Sequence, residues 1–247
     1  MVSSKDFFEK VIEVIDKVSE AERENIYKAA QMMGDCMDEN GVVQLFGLGH
    51  GLEFSMELGY RAGGLMPVHK VQTRDLALRG VISEEELFDP EFDNNIEMAH
   101  KLLGLYRIEN EDMFLLVSHS GCEAVIVEAA KIAKEQGRKT IAVVSKKASA
   151  AGKSTHPSGE KLEDIVDLVV DTHAEIGDAV LDVDGVHKMN HAGTVVGNVI
   201  AQMMTAETYR YLTEKGSECP VLLSANLKGA DVHNRRLSDK YAGRWNS

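Results

Sequence analysis

The run from Met113 to Ala130, MFLLVSHSGCEAVIVEAA, limits the fold more than any other stretch of this chain. Met113 to Val117 reads as a buried strand, the polar turn Ser118-His119-Ser120-Gly121 ends it, and a helix follows from Cys122 with Val125, Ile126, Ala129 and Ile132 on one face. A strand, a short polar turn and a helix start make an anion site. The first N–H groups of a helix have no intrahelical partners, and its dipole adds partial positive charge, so two hydroxyls and a glycine complete a phosphate cradle. Ser118, Ser120 and Gly121 are those parts. The same residues also spell a capping box, Ser120 with Glu123 three positions on, which needs no ligand.

A second turn of this kind lies upstream, in VVQLFGLGHGLEFS from Val42 to Ser55. An apolar strand ends at Phe46, Gly47, Gly49 and Gly51 alternate, and a helix begins with Leu52, Met56 and Leu58 on it. The glycines permit positive φ and close backbone approach to a ligand. A dinucleotide fingerprint requires glycine at position 52, where Leu52 stands, so an NAD-dependent enzyme is disfavoured.

Strand and helix alternate through the middle of the chain. Strands are expected at Val42–Phe46, Met66–Val71, Met113–Val117, Thr140–Ser145 and Ile165–Asp171. Helices are expected from Leu52 to Ala62, Asp93 to Tyr106, Cys122 to Gln136 and His191 to Glu214. Gly137 closes the third of these helices. Such alternation predicts an α/β fold with a doubly wound, five-stranded parallel sheet, its ligand at the C-terminal strand ends where both turns fall. Residues 4–38 read as a helical hairpin, with a break placed near 19 by a capping box of Ser19 and Glu22. Two polar loops interrupt the pattern. Thr73 to Asn95 reads as a solvated excursion; Lys146 to Glu163, with Lys146, Lys147, Lys153, His156 and Lys161, reads as either a flexible linker or a mobile basic lid.

A net charge of −13 disfavours nucleic acid and anionic membrane surfaces as partners. No segment has the length of apolar sequence that spans a bilayer, and MVSSKDFFEKV lacks a signal-peptide pattern, so a cytoplasmic protein is expected. Cys36, Cys122 and Cys219 are too few and too far apart for a disulfide framework or a CxxC metal site. Cys122, expected just inside a helix start, is placed where a thiol pKa can fall, although the role of a small packing residue suits it better.

Taken together, FGLGHG, YRAGG at 60–64, SHSG, HPSGEKL at 156–162, IGDAVLDVDG at 176–185, TVVGN at 194–198 and SANLKGADVHN at 224–234 resemble the sugar isomerase (SIS) family of phosphosugar-binding domains. The likeness covers nearly the whole chain and is nearest to a group of bacterial SIS proteins; phosphoheptose isomerases and N-acetylmuramic acid 6-phosphate etherases are more distant. It implies an SIS domain over 40–215, N-terminal helices over 1–39 that pack between subunits, and a polar C-terminal extension over 216–247. It also implies a sugar-phosphate ligand, a homodimer or homotetramer, and a ligand facing the start of the last long helix. The chain departs from the pattern at two points. Gly51 stands where many SIS proteins carry a phosphate-binding serine, and the family's catalytic glutamate position falls near Arg61.

The expected activity is isomerisation of a phosphorylated sugar or amino sugar, aldose to ketose. The alternative is a non-catalytic sugar-phosphate sensor acting through a protein partner. Proton transfer between adjacent carbons needs a base and a second acid/base, and Glu57, His191 and His50 are the candidates. Glu57 can equally pair with Arg61 four residues on. Ligand contacts are expected from Gly47, Gly49, Gly51, Ser118, His119, Ser120, Gly121, Cys122, Glu123, Thr194, Asn226 and His233, the last two reaching a neighbouring subunit as C-terminal segments do in some SIS enzymes. Asp231 and His233 have no identifiable third partner, so no metal and no cofactor are expected.

Overall fold

The computed structural model describes residues 2–244. The chain opens with helices α1 (Ser4–Ala21) and α2 (Arg23–Asp38), then strand β1 (Val43–Gly47), helix α3 (Gly51–Leu58) and strand β2 (Val68–Val71). After short helices at Arg74–Leu78 and Glu84–Leu87 come α4 (Glu97–Leu103), β3 (Met113–Val117), α5 (Ala124–Glu135) and β4 (Thr140–Val144). Short helices at Lys146–Ala151 and Leu162–Ile165 lead to β5 (Leu168–Asp171). The hairpin β6 (Ala179–Asp182) and β7 (Lys188–His191) follows, then α6 (Gly193–Lys215) and α7 (Ala230–Lys240).

Strands β1 to β5 form one parallel sheet in the order β2-β1-β3-β4-β5, the doubly wound arrangement expected. Alternate residues of each strand face opposite cores, as the two-residue period of a strand requires. Val43, Leu45, Met113, Leu115, Val117, Ile141 and Val143 pack under α1, α2, α3 and α6. Phe114, Leu116, Ala142 and Val144 pack under α4 and α5. The tail is fastened by Leu237 and Tyr241, which join Val42, Met66 and Leu222 in a third cluster. Among the described residues no helix is long and apolar enough to cross a membrane.

Several local expectations are corrected. The break in the N-terminal hairpin falls at Glu22, because the Glu22 N–H still donates to Val18 O at 2.9 Å and Ser19 stays inside α1. The capping box forms instead at Ser3 and Asp6. Thr73 to Asn95 is largely exposed, as expected, but it carries short helices, and Leu76, Ile82 and Phe92 anchor it in the second core. The helix expected from Asp93 begins only at Glu97. The stretch 146–163 packs onto the serine turn, with Thr155 N–H donating to Cys122 O and Leu162 N–H to Gly121 O, both at 2.9 Å. Its Lys147 pairs with Glu175 and its Lys161 donates to Ser149 O. His191 ends strand β7 rather than opening α6, because β7 pairs antiparallel with β6 through Ala179 and His191.

Candidate functional site

In a sheet of this order the chain leaves β1 toward one face and β3 toward the other, opening a crevice at their C-terminal ends. A cleft lies there. Its walls include His50 and Phe54 beyond β1, Ser118 and His119 beyond β3, and Asp178 and Thr194 from the hairpin and the start of α6.

The glycine turn owes its spacing to the protein's own backbone. A Cβ on Gly47 would lie 2.1 Å from Gly51 O, and one on Gly51 would lie 2.4 Å from Val117 O. These glycines let α3 begin tight against β1 and β3, and Gly51 also lines the cleft. Gly49 adopts φ +52° with open space around it.

The serine turn differs from its expected form. Helix α5 starts at Ala124 with Glu123 as the residue before it, and Ser120 makes no cap to that helix. Instead the Glu123 carboxylate curls back and accepts both hydroxyl protons, from Ser118 at 2.7 Å and from Ser120 at 2.8 Å. Those hydroxyl oxygens in turn accept the N–H of Gly121 at 2.9 Å and of Cys122 at 3.2 Å. All four donors expected for a phosphate are therefore engaged by the turn itself. The freed helix start is capped by Thr155, whose Oγ1 accepts the Ala124 N–H at 3.0 Å. Burial, offset in part by a hydrogen bond with Ser120, pushes the Cys122 thiol up, which fits a packing residue rather than an activated thiol. Asp93 stands nearby, and its carboxyl is raised by burial and by the charge of Glu123.

A cluster of histidines and one carboxylate forms the other part of the site. Asp178, with φ +62°, has a side chain only 2% exposed. Its Oδ1 accepts the Gly193 N–H at 2.7 Å, capping α6, and a Cβ at Gly193 would lie 2.6 Å from that oxygen. Its Oδ2 points at His50 Nδ1, 3.2 Å away, and His191 Nδ1, 3.8 Å away, yet accepts no hydrogen bond. The two imidazoles meet edge-on, ring centroids 5.4 Å apart. His119, on the same cleft, has its Nε2 buried without a hydrogen-bond partner.

Glu57, His233 and Asn226 are not among the residues that line this cleft. Glu57 is bound by Arg61 and accepts from Gln202 Nε2 at 2.6 Å. His233 Nε2 lies 2.9 Å from Val221 O, and Asn226 N–H donates to Ser224 Oγ, within the tail of the same chain. Asp178, Thr155 and Asp93 were missed from the sequence. Asp178 lies in the IGDAVLDVDG stretch, but nothing in its local pattern distinguishes it from other loop aspartates.

A sequence profile of the SIS domain matches residues 6–145, more than half of the chain. A UPF0309 protein of Geobacillus kaustophilus is 37% identical over 240 residues, covering 96% of this chain and 94% of that protein. Another, from Thermoanaerobacter pseudethanolicus, is 33% identical over 244 residues, covering 97% of each. Among solved structures, a phosphoheptose isomerase from Francisella tularensis superposes with a TM-score of 0.54 at 17% identity, covering 85% of this chain and 100% of that one. A phosphoheptose isomerase from Neisseria gonorrhoeae gives 0.51, also at 17% identity, over 83% of this chain and 95% of that one. At such identity these two structures speak for the fold. The profile match and the full-length relatives go further: the chain belongs to the SIS domain family, beside the UPF0309 proteins.

Proposed function

We propose that this protein binds a sugar phosphate or amino-sugar phosphate in the cleft between β1 and β3 and interconverts its aldose and ketose forms. One observation carries the reading: His119 lines a cleft at the sheet's switch point, beside Ser118 and Thr194, and its ring Nε2 is buried with no hydrogen-bond partner. Buried polar atoms are nearly always paired, so an unpaired one on a residue that lines a cleft supports a place there for a ligand's polar group. An imidazole also suits the chemistry, because moving a proton between adjacent carbons asks for a group that titrates near neutral pH. Glu57, the carboxylate expected from the sequence, would first have to leave Arg61 and Gln202. The phosphoheptose isomerase neighbours support the substrate class.

A second reading rests on Glu123. With its carboxylate on both serine hydroxyls, the turn presents negative charge, which favours a sugar that offers hydroxyl or ammonium donors over one that offers phosphate. We further propose a cytoplasmic homo-oligomer. Phe8 and Ile12, four residues apart on α1, are 65% and 37% exposed and provide an apolar strip for a second copy. Three free cysteines suit a reducing compartment.

A thermal-shift screen of hexose, heptose and amino-sugar phosphates, each beside its unphosphorylated parent, tests these readings on wild type and His119→Gln. Stabilisation by the phosphorylated sugars alone, lost in His119→Gln and accompanied by ketose formation, supports the first reading. Stabilisation by parent sugars alone supports the second, and binding without turnover indicates a sensor. If no sugar shifts the wild type, all three fail.

A further inference from the structure

We propose that His50, Asp178 and His191 form a binding site for one divalent transition-metal ion of the zinc class, at the mouth of the β1/β3 cleft. The ligand atoms of the three residues all lie within 4.8 Å of one another. Zinc ligands sit about 2.1 Å from the ion, so two neighbours on a tetrahedron are about 3.4 Å apart. The observed separations from Asp178 Oδ2, 3.2 Å to His50 Nδ1 and 3.8 Å to His191 Nδ1, bracket that spacing.

The Asp178 carboxylate supplies the independent sign. It is almost wholly buried, and its Oδ2 accepts no hydrogen bond although two imidazole nitrogens stand close by. A buried carboxylate oxygen is costly to leave unpaired. Two ring nitrogens turned toward one such oxygen, neither aligned as a donor, make the arrangement expected of three ligands around a common centre. The carboxylate is also fixed from behind: its Oδ1 holds the Gly193 N–H at 2.7 Å, so Oδ2 has one direction left. Such orientation of a ligand by its other atom is a regular feature of metal sites.

The donor set selects the ion. Two imidazoles and one carboxylate suit zinc, cobalt, nickel or iron(II), whereas magnesium and calcium prefer all-oxygen sites. Three protein ligands leave a position open, as at sites that bind a substrate oxygen rather than a purely structural ion. His50 and Asp178 line the cleft, so that position is available to a ligand lodged there.

The test needs no sugar, which separates it from the proposal above. Chelator-stripped protein is titrated with Zn²⁺ against a chromophoric competitor, and with Co²⁺ while visible absorption is followed. The expected result is one ion per chain and the absorption of low-coordinate Co²⁺, with Mg²⁺ failing to compete. His50→Gln, His191→Gln and Asp178→Asn should each weaken Zn²⁺ binding at least about tenfold, since even outer-shell changes cost 10–100-fold. His187→Gln, on an exposed histidine outside the cluster, should leave it unchanged. Both histidine ligands are about half exposed, so their replacement tests binding without endangering the fold. The proposal is overturned if wild type holds Zn²⁺ no more tightly than the His50→Gln/His191→Gln double variant. In that case Asp178 serves only to cap α6.

Discussion

The Glu123 carboxylate accepts the Ser118 hydroxyl at 2.7 Å and thereby occupies the turn that a phosphate would use. Its other oxygen takes Ser120 at 2.8 Å, so a single side chain satisfies both hydroxyls of the motif. An anion arriving here must displace a carboxylate that is itself anionic. Glu123→Gln removes that charge while keeping the shape. Inorganic phosphate and sugar phosphates should then bind roughly tenfold more tightly, about 1.4 kcal/mol, read by calorimetry. Unchanged or weaker phosphate binding in the variant would mean that Glu123 does not compete for the turn.

Burial pushes His69 down to about 4, and its ring Nδ1 lies 2.7 Å from Gln44 Oε1. The folded value lies below the unfolded value of about 6.5, so the unfolded chain gains a proton first as the pH falls. Stability from this group is complete above pH 6.5 and is lost between there and about pH 4, by at most about 3 kcal/mol. Urea midpoints at pH 7.5, 6 and 5 should fall more steeply for wild type than for His69→Gln. Glu128 acts over a lower range. Burial raises its carboxyl, but hydrogen bonds from His156 and His100 outweigh this and hold it low, so its contribution fades as pH drops below 4.5.

Asp112 ties the base of the sheet together. Its fully buried carboxylate accepts Val42 N–H at 2.8 Å, Gln44 Nε2 at 2.9 Å and Glu109 N–H at 3.0 Å, and pairs with Arg244. Asp112→Ala strands a guanidinium and two backbone donors, and should cost about 3–5 kcal/mol in chemical denaturation. A cost below 1 kcal/mol would show that water replaces these bonds freely.

Gly51 and Gly49 should respond differently to alanine. At Gly51 the added methyl meets Val117 O at 2.4 Å, and backbone cannot give way cheaply, so a loss of about 1–3 kcal/mol or more is expected. At Gly49 the methyl meets open space and only the left-handed φ is penalised, about 1–2 kcal/mol. Thermal unfolding should therefore rank Gly51→Ala below Gly49→Ala.

Thr155 caps α5 from a distant loop. Thr155→Val removes the acceptor of the Ala124 N–H and should cost about 1 kcal/mol, while Thr155→Ser should restore most of it. Equal stability of the valine variant would show that the loop leaves the helix start open to water.

Much of the fold was legible because its signals are local. The apolar run Met113–Val117 emerged with the expected bounds, and the five-strand alternation was visible as well, since buried parallel strands need short continuous apolar runs. Boundaries moved where side chains from elsewhere intervened. Burial of Leu76, Ile82 and Phe92 anchored short helical turns within a polar stretch that stays largely exposed. Pairing of His191 with Ala179 drew it out of a helix pattern and into a strand.

By itself the sequence determined the order of strands and helices, the two polar turns at the sheet edge, and the histidines near them. These follow from periodicity and turn chemistry within a few residues. The use to which the polar groups are put was decided only by the tertiary structure. Glu123 reads as a capping residue until its carboxylate is seen on Ser118 and Ser120. Asp178 reads as one acid among many until α6 holds one of its oxygens and aims the other at His50 and His191. The Asp178 assignment depends on groups far apart in the chain converging, and no local pattern records that distance; Glu123 is only three and five residues from its serines, and there the distant partner is Thr155, which takes over the helix start.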